Sequence, residues 1–203
     1  MQPTSTVARD VTARARGLNQ YMKRLESLHA SGALSQTDIS RAQAGALLAF
    51  HTYVERSLER LFIGLLMRRL TSSQAGVSSL VHIRSDVVAR AIVSGGRNYV
   101  DWLPFEQHTL KRADAFLSAG RPFSTLARAD YASLERLGIV RNAIAHESTY
   151  ALRRFRVQFV DGRGLPPGQQ SPSGYLRGQH RPGQSRFENM MADVVVTFAK
   201  LCS

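Results

Sequence analysis

Cysteine is nearly absent from this chain of 203 residues, which contains only Cys202. A single cysteine cannot form a disulfide within the chain, and it cannot build a zinc site on several thiolates. Long hydrophobic runs are missing as well. The apolar stretch Leu61–Met67 is much shorter than the roughly 20 residues that a membrane-spanning helix needs. The sequence therefore excludes a disulfide scaffold and predicts no membrane span.

Acidic residues are scarce relative to basic ones. The chain has 15 Asp and Glu against 27 Lys and Arg, which gives a formal net charge of +12. Only three of the basic residues are lysines, namely Lys23, Lys111 and Lys200. Because 43% of the residues are hydrophobic, the chain can still bury a core. The positive excess indicates a polyanionic partner, with nucleic acid first and an anionic membrane second.

The first residues, 1–5, lead into a polar, arginine-rich segment that lacks the apolar stretch of a secretory signal. We therefore expect a cytoplasmic protein. The histidines that lie away from the motif described below form no close pair with the spacing of metal ligands; these are His29, His82, His108 and His180. We expect neither a metal site nor a cofactor.

Apolar residues recur with helical spacing along most of the chain, which predicts an all-α fold. Gly138 lies inside one of these helical patterns and indicates a close approach of another helix. The capping box Ser185–Glu188 predicts the start of the last helix. We expect one domain over residues 1–203, built as an antiparallel helical bundle. The predicted helices lie within 1–34 and over about 35–70, 79–93, 107–118, 125–146 and 185–201.

Residues 161–186 differ in composition, because they hold six glycines and four prolines together with several arginines. This composition predicts a long flexible loop before the last helix. Just before it, Phe155, Val157 and Phe159 alternate with other residues, which predicts a short strand or an extended arm. Four arginines of the loop either bind RNA phosphates or belong to a solvated insertion: Arg163, Arg177, Arg181 and Arg186.

Three side chains suited to phosphodiester chemistry stand near the end of the helix predicted over residues 125–146. Asn142 and His146 are four residues apart and share a helix face, and the long side chain of Arg141 can reach the same edge. Arginine can bind a phosphate with two donors, and histidine can exchange a proton near neutral pH. Because RNA supplies its own nucleophile, the ribose 2′-hydroxyl, this set suits metal-free RNA cleavage. The alternative is a solvated helix end.

The position of His146 near a helix C-terminus also predicts its protonation state. The negative end of the helix dipole favours a cation there. The sequence therefore favours a proton-donating role for His146.

The string Arg141-Asn142-Ala143-Ile144-Ala145-His146 resembles the Arg-x(4–6)-His signature of HEPN domains. The segment Phe50–Leu58 is similar to the helix that carries an acidic residue in this family. Four further features resemble the RiboL-PSP type of HEPN domain, and the likeness covers residues 35–201. These features are the glycine pair at Gly95, Pro122-Phe123, Tyr175-Leu176 and Ser185–Glu188.

The resemblance implies an all-α, often dimeric domain with motif helices facing each other, and a metal-independent endoribonuclease that leaves a 2′,3′-cyclic phosphate. It further implies a toxin or a phage-defence effector, with RNA, a second copy of the chain and an antitoxin or defence protein as partners, and no membrane. Arg141 would bind the scissile phosphate, His146 would be the general acid or base, and Asn142 would orient it. Glu55 would be a supporting acid, with Glu59 as its rival and an ordinary salt bridge as the alternative.

Two other functions remain open from the sequence. One is a non-catalytic HEPN-like module that binds RNA, a nucleotide or a partner protein. The other is a DNA-binding regulator that uses the same positive charge, although the sequence shows no helix-turn-helix signature.

Overall fold

The structure, a computed structural model, describes residues 1–97, 99–146 and 148–203. Helices account for most of these residues, and the strands are only two or three residues long, so the predicted all-α class is confirmed. The eight α-helices of the described residues are α1 Ser5–Ala30, α2 Gln36–Leu66, α3 Asp86–Ser94, α4 Lys111–Phe116, α5 Arg128–His146, α6 Thr149–Phe159, α7 Pro172–Arg177 and α8 Arg186–Leu201.

The remaining elements are short. A π-helical turn, Phe105–Leu110, leads into α4, and 3-10 turns form at Ser118–Gly120, Phe123–Thr125 and Pro167–Gln169. Strand β1 (Gln2–Pro3) pairs in parallel with β2 (Leu70–Thr71), and β3 (Gln179–Arg181) pairs antiparallel with β4 (Gln184–Ser185). In the part of the chain that the structure describes, no helix is long and apolar enough to cross a membrane.

The contacts within the chain divide it into two compact units. The first comprises Met1–Thr12, Tyr53–Glu135 and Val194–Ser203, and the second comprises Ala13–Thr52 and Arg136–Asp193. The first unit has an aromatic core, in which the ring of Phe62 lies 5.3 Å from Trp102 and 5.7 Å from Phe123. It also buries Cys202, and burial raises the pKa of this thiol to about 12, so the single cysteine is protonated and unreactive near neutral pH.

The second unit has its own core, which includes a cluster of three aromatic rings. Tyr175 lies 5.7 Å from Phe155 and 5.0 Å from Phe159, measured between ring centroids. The guanidinium of Arg186 lies 4.7 Å from the Tyr175 ring centroid, within the range of a cation–π contact. These contacts attach α6 and α7 to the beginning of α8 and give the second unit a packed frame.

The predicted capping box is confirmed. The backbone N–H of Ser185 donates to Oε2 of Glu188 at 2.9 Å, and the backbone N–H of Glu188 donates to Oγ of Ser185 at 3.1 Å. Two backbone donors at the start of α8 are thereby satisfied. Lys23 adds an ion pair to Glu188 at 3.0 Å, which joins α1 to the start of α8 within the second unit.

The segment around Phe155 is helical, so the prediction of a strand or extended arm is wrong. Phe155 and Phe159 are buried and four residues apart, whereas Val157 between them is exposed. This spacing fits one face of a helix as well as alternate positions of a strand. Ser148 settles the choice locally, because its Oγ accepts a hydrogen bond from the N–H of Ala151 at 3.2 Å and caps α6.

Residues 161–186 hold more regular structure than their composition predicts. They contain a 3-10 turn, α7 and the β3–β4 pair. Ser171 caps α7 by accepting from the N–H of Gly174 at 3.2 Å. A Cβ on Gly174 would meet the carbonyl oxygen of Gly168 at 2.0 Å, so this position requires glycine.

Gly138 has a different environment from the one that the sequence suggested. A Cβ added there meets nothing within 4 Å. The predicted close approach of another helix at this glycine is therefore wrong.

Candidate active site

The motif residues meet around one nitrogen of Arg141 in the second unit. Nη1 of Arg141 donates to Oδ1 of Asn142 at 2.8 Å and lies 3.0 Å from Nε2 of His146. The sequence prediction that these three side chains share an edge of the helix agrees with this geometry. Asn142 thus contacts the arginine directly.

The contact between Arg141 and His146 has a defined donor and acceptor. A guanidinium has hydrogen-bond donors only, so Nε2 of His146 must accept. The lone pair of Nε2 therefore faces the guanidinium of Arg141 in this arrangement.

The other nitrogens of the Arg141 guanidinium are placed to bind a ligand. Both hydrogens on Nη1 are used by Asn142 and His146, whereas Nη2 and Nε stand outside these two bonds. Two such N–H groups on one edge of a guanidinium match the oxygens of a phosphate. The arrangement can therefore hold a phosphate beside the imidazole of His146.

Helix α5 presents the motif because of the way its apolar side is buried. Leu137, Val140 and Ala143 recur at three-residue spacing and are almost completely buried. Arg141 and Asn142 are half-buried, and His146 in the last turn is exposed. The packing fixes the backbone under Arg141 while it leaves the imidazole accessible to a substrate.

A further histidine, His51, lies close enough to Arg141 for the positive charge of the guanidinium to lower its pKa. It lies in α2 within the second unit and is only 5% exposed. Burial lowers its pKa to about 4, and the positive charge of Arg141 acts in the same direction. His51 is therefore neutral near pH 7, and the structure adds a second imidazole to the surroundings of the motif.

The sequence gives a weak indication that His51 faces the core. The residue stands four positions after Leu47 and directly after Phe50, both of which are fully buried. It thus occupies a core-facing position of α2. A histidine inside an apolar stripe is compatible with a site and with ordinary packing, and only the tertiary structure shows that Arg141 is nearby.

Glu55 and Glu59, the candidates for a supporting acid, belong to the first unit. Glu55 is half-buried in α2, and its role as a supporting acid stays a prediction. Glu59 forms an ion pair with Arg90 within the first unit. This pair gives Glu59 an ordinary structural role.

Three of the four arginines predicted to bind RNA make contacts inside the second unit. Arg177 forms a two-pronged ion pair with Glu26, at 2.9 Å and 3.1 Å, and its side chain is 17% exposed. Arg186 donates to Oε1 of Gln169 at 2.9 Å, and Arg163 donates to the carbonyl of Gln158 at 2.9 Å. Arg181 is exposed in β3. RNA binding by these four residues stays a prediction, and the contacts favour a structural role for Arg177.

Helix α6 has an exposed basic face that the sequence prediction missed. Its outward side carries Tyr150, Arg153, Arg154 and Arg156, all exposed, and the helix has no acidic residue. The guanidinium of Arg154 lies 5.9 Å from the centroid of the Tyr150 ring. An extended interpretation of residues 155–159 does not predict this face. Since α6 begins three residues after His146, its first turn is next to the motif.

The described residues include no group of three or more His, Cys, Asp or Glu side chains that could hold a metal ion. Comparison with protein families finds no matching family. Neither the curated proteins nor the solved structures contain a match to the chain.

Proposed function

We propose that the protein is a metal-independent endoribonuclease of the HEPN type. One observation carries the proposal: a single arginine, Arg141, is hydrogen-bonded to both Asn142 and His146 at the accessible end of α5. The resemblance of residues 141–146 to the HEPN signature supports it. A permanent cation that binds the phosphate and an imidazole that exchanges a proton are the two groups needed to cleave RNA through its own 2′-hydroxyl.

In the proposed reaction, Nη2 and Nε of Arg141 bind the non-bridging oxygens of the scissile phosphate. As Arg141 turns toward the phosphate, it releases Nε2 of His146, which takes the proton of the 2′-hydroxyl. The 2′-oxygen then bonds to phosphorus and the bond from phosphorus to the 5′-oxygen breaks, which leaves a 2′,3′-cyclic phosphate. In the dimer that the HEPN resemblance implies, a second copy facing the motif helix supplies the proton to the leaving 5′-oxygen.

The exposed face of α6 supports RNA as the substrate. Arg153, Arg154 and Arg156 give this helix a local charge of +3, and one of them, Arg156, lies 3.8 Å from the carboxylate of Asp161. Tyr150 adds an aromatic ring on which a base can stack. Single-stranded RNA offers both features, a charged backbone and unstacked bases.

The biological role in the proposal is that of a toxin or a phage-defence effector in the cytoplasm. It follows from the HEPN resemblance, as do the homodimer and an antitoxin or defence protein as partner. Growth arrest on expression of the wild-type chain, together with unimpaired growth on expression of His146→Ala, is the expected result. Equal growth with both proteins counts against the toxic role.

RNA cleavage in EDTA tests the activity itself. We expect the wild-type protein to produce ends with a 2′,3′-cyclic phosphate, and His146→Ala and Arg141→Ala to lose cleavage. His180→Ala, which alters an exposed histidine in β3, is the matched control and should stay active. Equal cleavage by all four proteins would contradict the site, and dependence on added magnesium would contradict the mechanism. RNA binding without product would favour the alternative, a non-catalytic RNA-binding module.

A further inference from the structure

A groove of about 530 Å³ lies in the second unit, beside the helix turn that carries the motif. Its wall on α5 is formed by Ala143 and Ile144, which stand between Asn142 and His146 in the chain. The opposite part of its lining comes from the first turns of α2, and Leu152 of α6 and the start of α7 complete it. The groove is large enough for one ligand of nucleotide size.

The lining combines apolar walls with uncharged polar groups. Ala44, Ile144 and Leu152 give it apolar surface, whereas hydroxyl groups come from both α2 and α7. The hydroxyl-bearing residues are Thr37, Ser40, Ser171 and Ser173. Flat apolar surface with hydroxyls at its border suits a nucleobase, which has two apolar faces and an edge of donors and acceptors.

The described lining of the groove carries one charge. Among its described residues Arg41 is the charged one, and none of them is Asp or Glu. The nearest acid in sequence, Asp38, accepts hydrogen bonds from Oγ of Ser35 at 2.6 Å and from its backbone N–H at 3.2 Å. These bonds, together with the charge of Arg41, hold the pKa of Asp38 below its ordinary value, so Asp38 is an ionised neighbour of Arg41. Arg41 is the group of the described lining that can bind a negative group of a ligand.

We infer that this groove binds one nucleotide of a single-stranded RNA, next to the phosphate that Arg141 holds. The base lies between Ala44 and Ile144, the serine hydroxyls contact its edge, and Arg41 binds a flanking phosphate. This inference rests on the proposed ribonuclease function, and it adds to it the part of the site that distinguishes one base from another. The motif supplies the chemistry, and the groove supplies base preference.

Nucleotide binding tests the inference independently of cleavage. The probes are adenosine, guanosine, cytidine and uridine 3′-monophosphates, titrated into ¹⁵N-labelled protein, with inorganic phosphate as the probe that lacks a base. We expect wild-type protein and His146→Ala to bind at least one nucleotide, with shifts in the amide signals of Ser40, Ile144 and Ser173. Phosphate alone should not shift the signal of Ile144.

Variants of the lining locate the binding. Ala44→Phe fills the groove and should weaken nucleotide binding about tenfold, which corresponds to about 1.4 kcal/mol. Arg41→Gln and Ser173→Ala change polar groups at the groove without adding bulk, so they keep the test informative if Ala44→Phe does not fold. Arg16→Gln, an exposed arginine of α1 in the same unit, is the matched control and should bind as the wild type does.

The outcomes separate the groove from the proposed activity. Nucleotide binding that Ala44→Phe or Arg41→Gln weakens, in a protein that does not cleave RNA, supports the groove and contradicts the ribonuclease. RNA cleavage without nucleotide-induced shifts at the lining supports the ribonuclease and overturns the groove. Equal nucleotide affinity in the folded lining variants and in Arg16→Gln also overturns it.

Discussion

Nη1 of Arg141 and Nε2 of His146 are 3.0 Å apart, and the arginine must be the donor. The two groups that the proposed reaction needs are therefore coupled before any substrate binds. A phosphate that attracts Arg141 frees the lone pair of His146 at the same moment. The proposed base becomes available only when the proposed substrate is present.

Arg141→Lys tests whether the guanidinium is needed in addition to its charge. Lysine keeps the positive charge but has one donor atom, so it cannot offer two parallel N–H groups to a phosphate. We expect kcat/KM for RNA cleavage to fall roughly 100-fold or more, the size seen when a transition-state donor is lost. Arg16→Lys, at an exposed position in α1, is the control and should retain activity. Full activity of Arg141→Lys would show that charge alone is sufficient.

Because His51 is buried, we expect the free energy of unfolding to fall in acid. Its pKa is about 4 in the folded protein and about 6.5 when unfolded, so the unfolded chain binds the proton more readily between these values. The contribution of His51 is fully present above pH 6.5 and is lost as the pH falls toward 4. The expected loss is on the order of 3 kcal/mol, because the pKa of His51 is about 4 in the folded protein and about 6.5 in the unfolded chain.

Urea unfolding at pH 7 and pH 4.5 measures this effect, with His51→Gln for comparison. The variant should show a smaller difference between the two pH values than the wild type. An NMR titration adds a second check, because removal of the positive charge in Arg141→Gln should raise the pKa of His51. An unchanged pKa in that variant would contradict the proximity of the two residues.

The sequence predicts the motif geometry well because that geometry is local. Arg141, Asn142 and His146 lie within six residues of one helix, and helical spacing alone brings them to one edge. The neighbourhood of His51 depends instead on how α2 packs in the second unit. Arg177 shows the same limit, because its partner Glu26 is 151 residues away in the chain.

The error over α6 has a different origin. Phe155 and Phe159 fit a helix and a strand equally well, and three or four residues of pattern do not separate the two periods. The feature that decides between helix and strand is the cap at Ser148. This residue lies seven positions before Phe155 and defines where α6 starts. The basic outer face of α6 follows only from the helical interpretation, because only a helix brings Tyr150 and Arg154 to one side.

Arg177 is expected to stabilise the folded protein. Its guanidinium binds both carboxylate oxygens of Glu26 and is mostly buried, so Arg177→Ala leaves Glu26 without this partner. We expect the free energy of unfolding to fall by about 1–3 kcal/mol, as for a lost hydrogen bond to a charged group. Arg181→Ala removes the same charge from an exposed strand and should have little effect. A larger loss in Arg181→Ala than in Arg177→Ala would contradict this assignment.

Ser185 caps α8 in the way that the sequence predicted, and Ser185→Ala removes the oxygen that accepts from the N–H of Glu188. We expect a loss of about 1 kcal/mol in the free energy of unfolding. Ser185→Asp keeps an acceptor at the cap and should retain most of the stability. Urea unfolding of the three proteins measures the difference, and equal stability of Ser185→Ala and wild type would show that the cap contributes nothing measurable.

Tyr150 and Arg154 should bind RNA through different physical effects, and the two can be measured separately. In a His146→Ala background, Tyr150→Ala should weaken binding of a single-stranded RNA by about 1–3 kcal/mol because a stacking surface is lost. Arg154→Gln should instead reduce the salt dependence of binding, by about 0.7 in the slope of log K against log salt. Tyr99→Ala is the control, because Tyr99 is 70% exposed and Tyr150 is 71% exposed, and Tyr99 lies in the first unit. Fluorescence anisotropy at several salt concentrations gives both quantities. If Tyr99→Ala and Tyr150→Ala bind RNA equally well, the outer face of α6 does not contact the RNA.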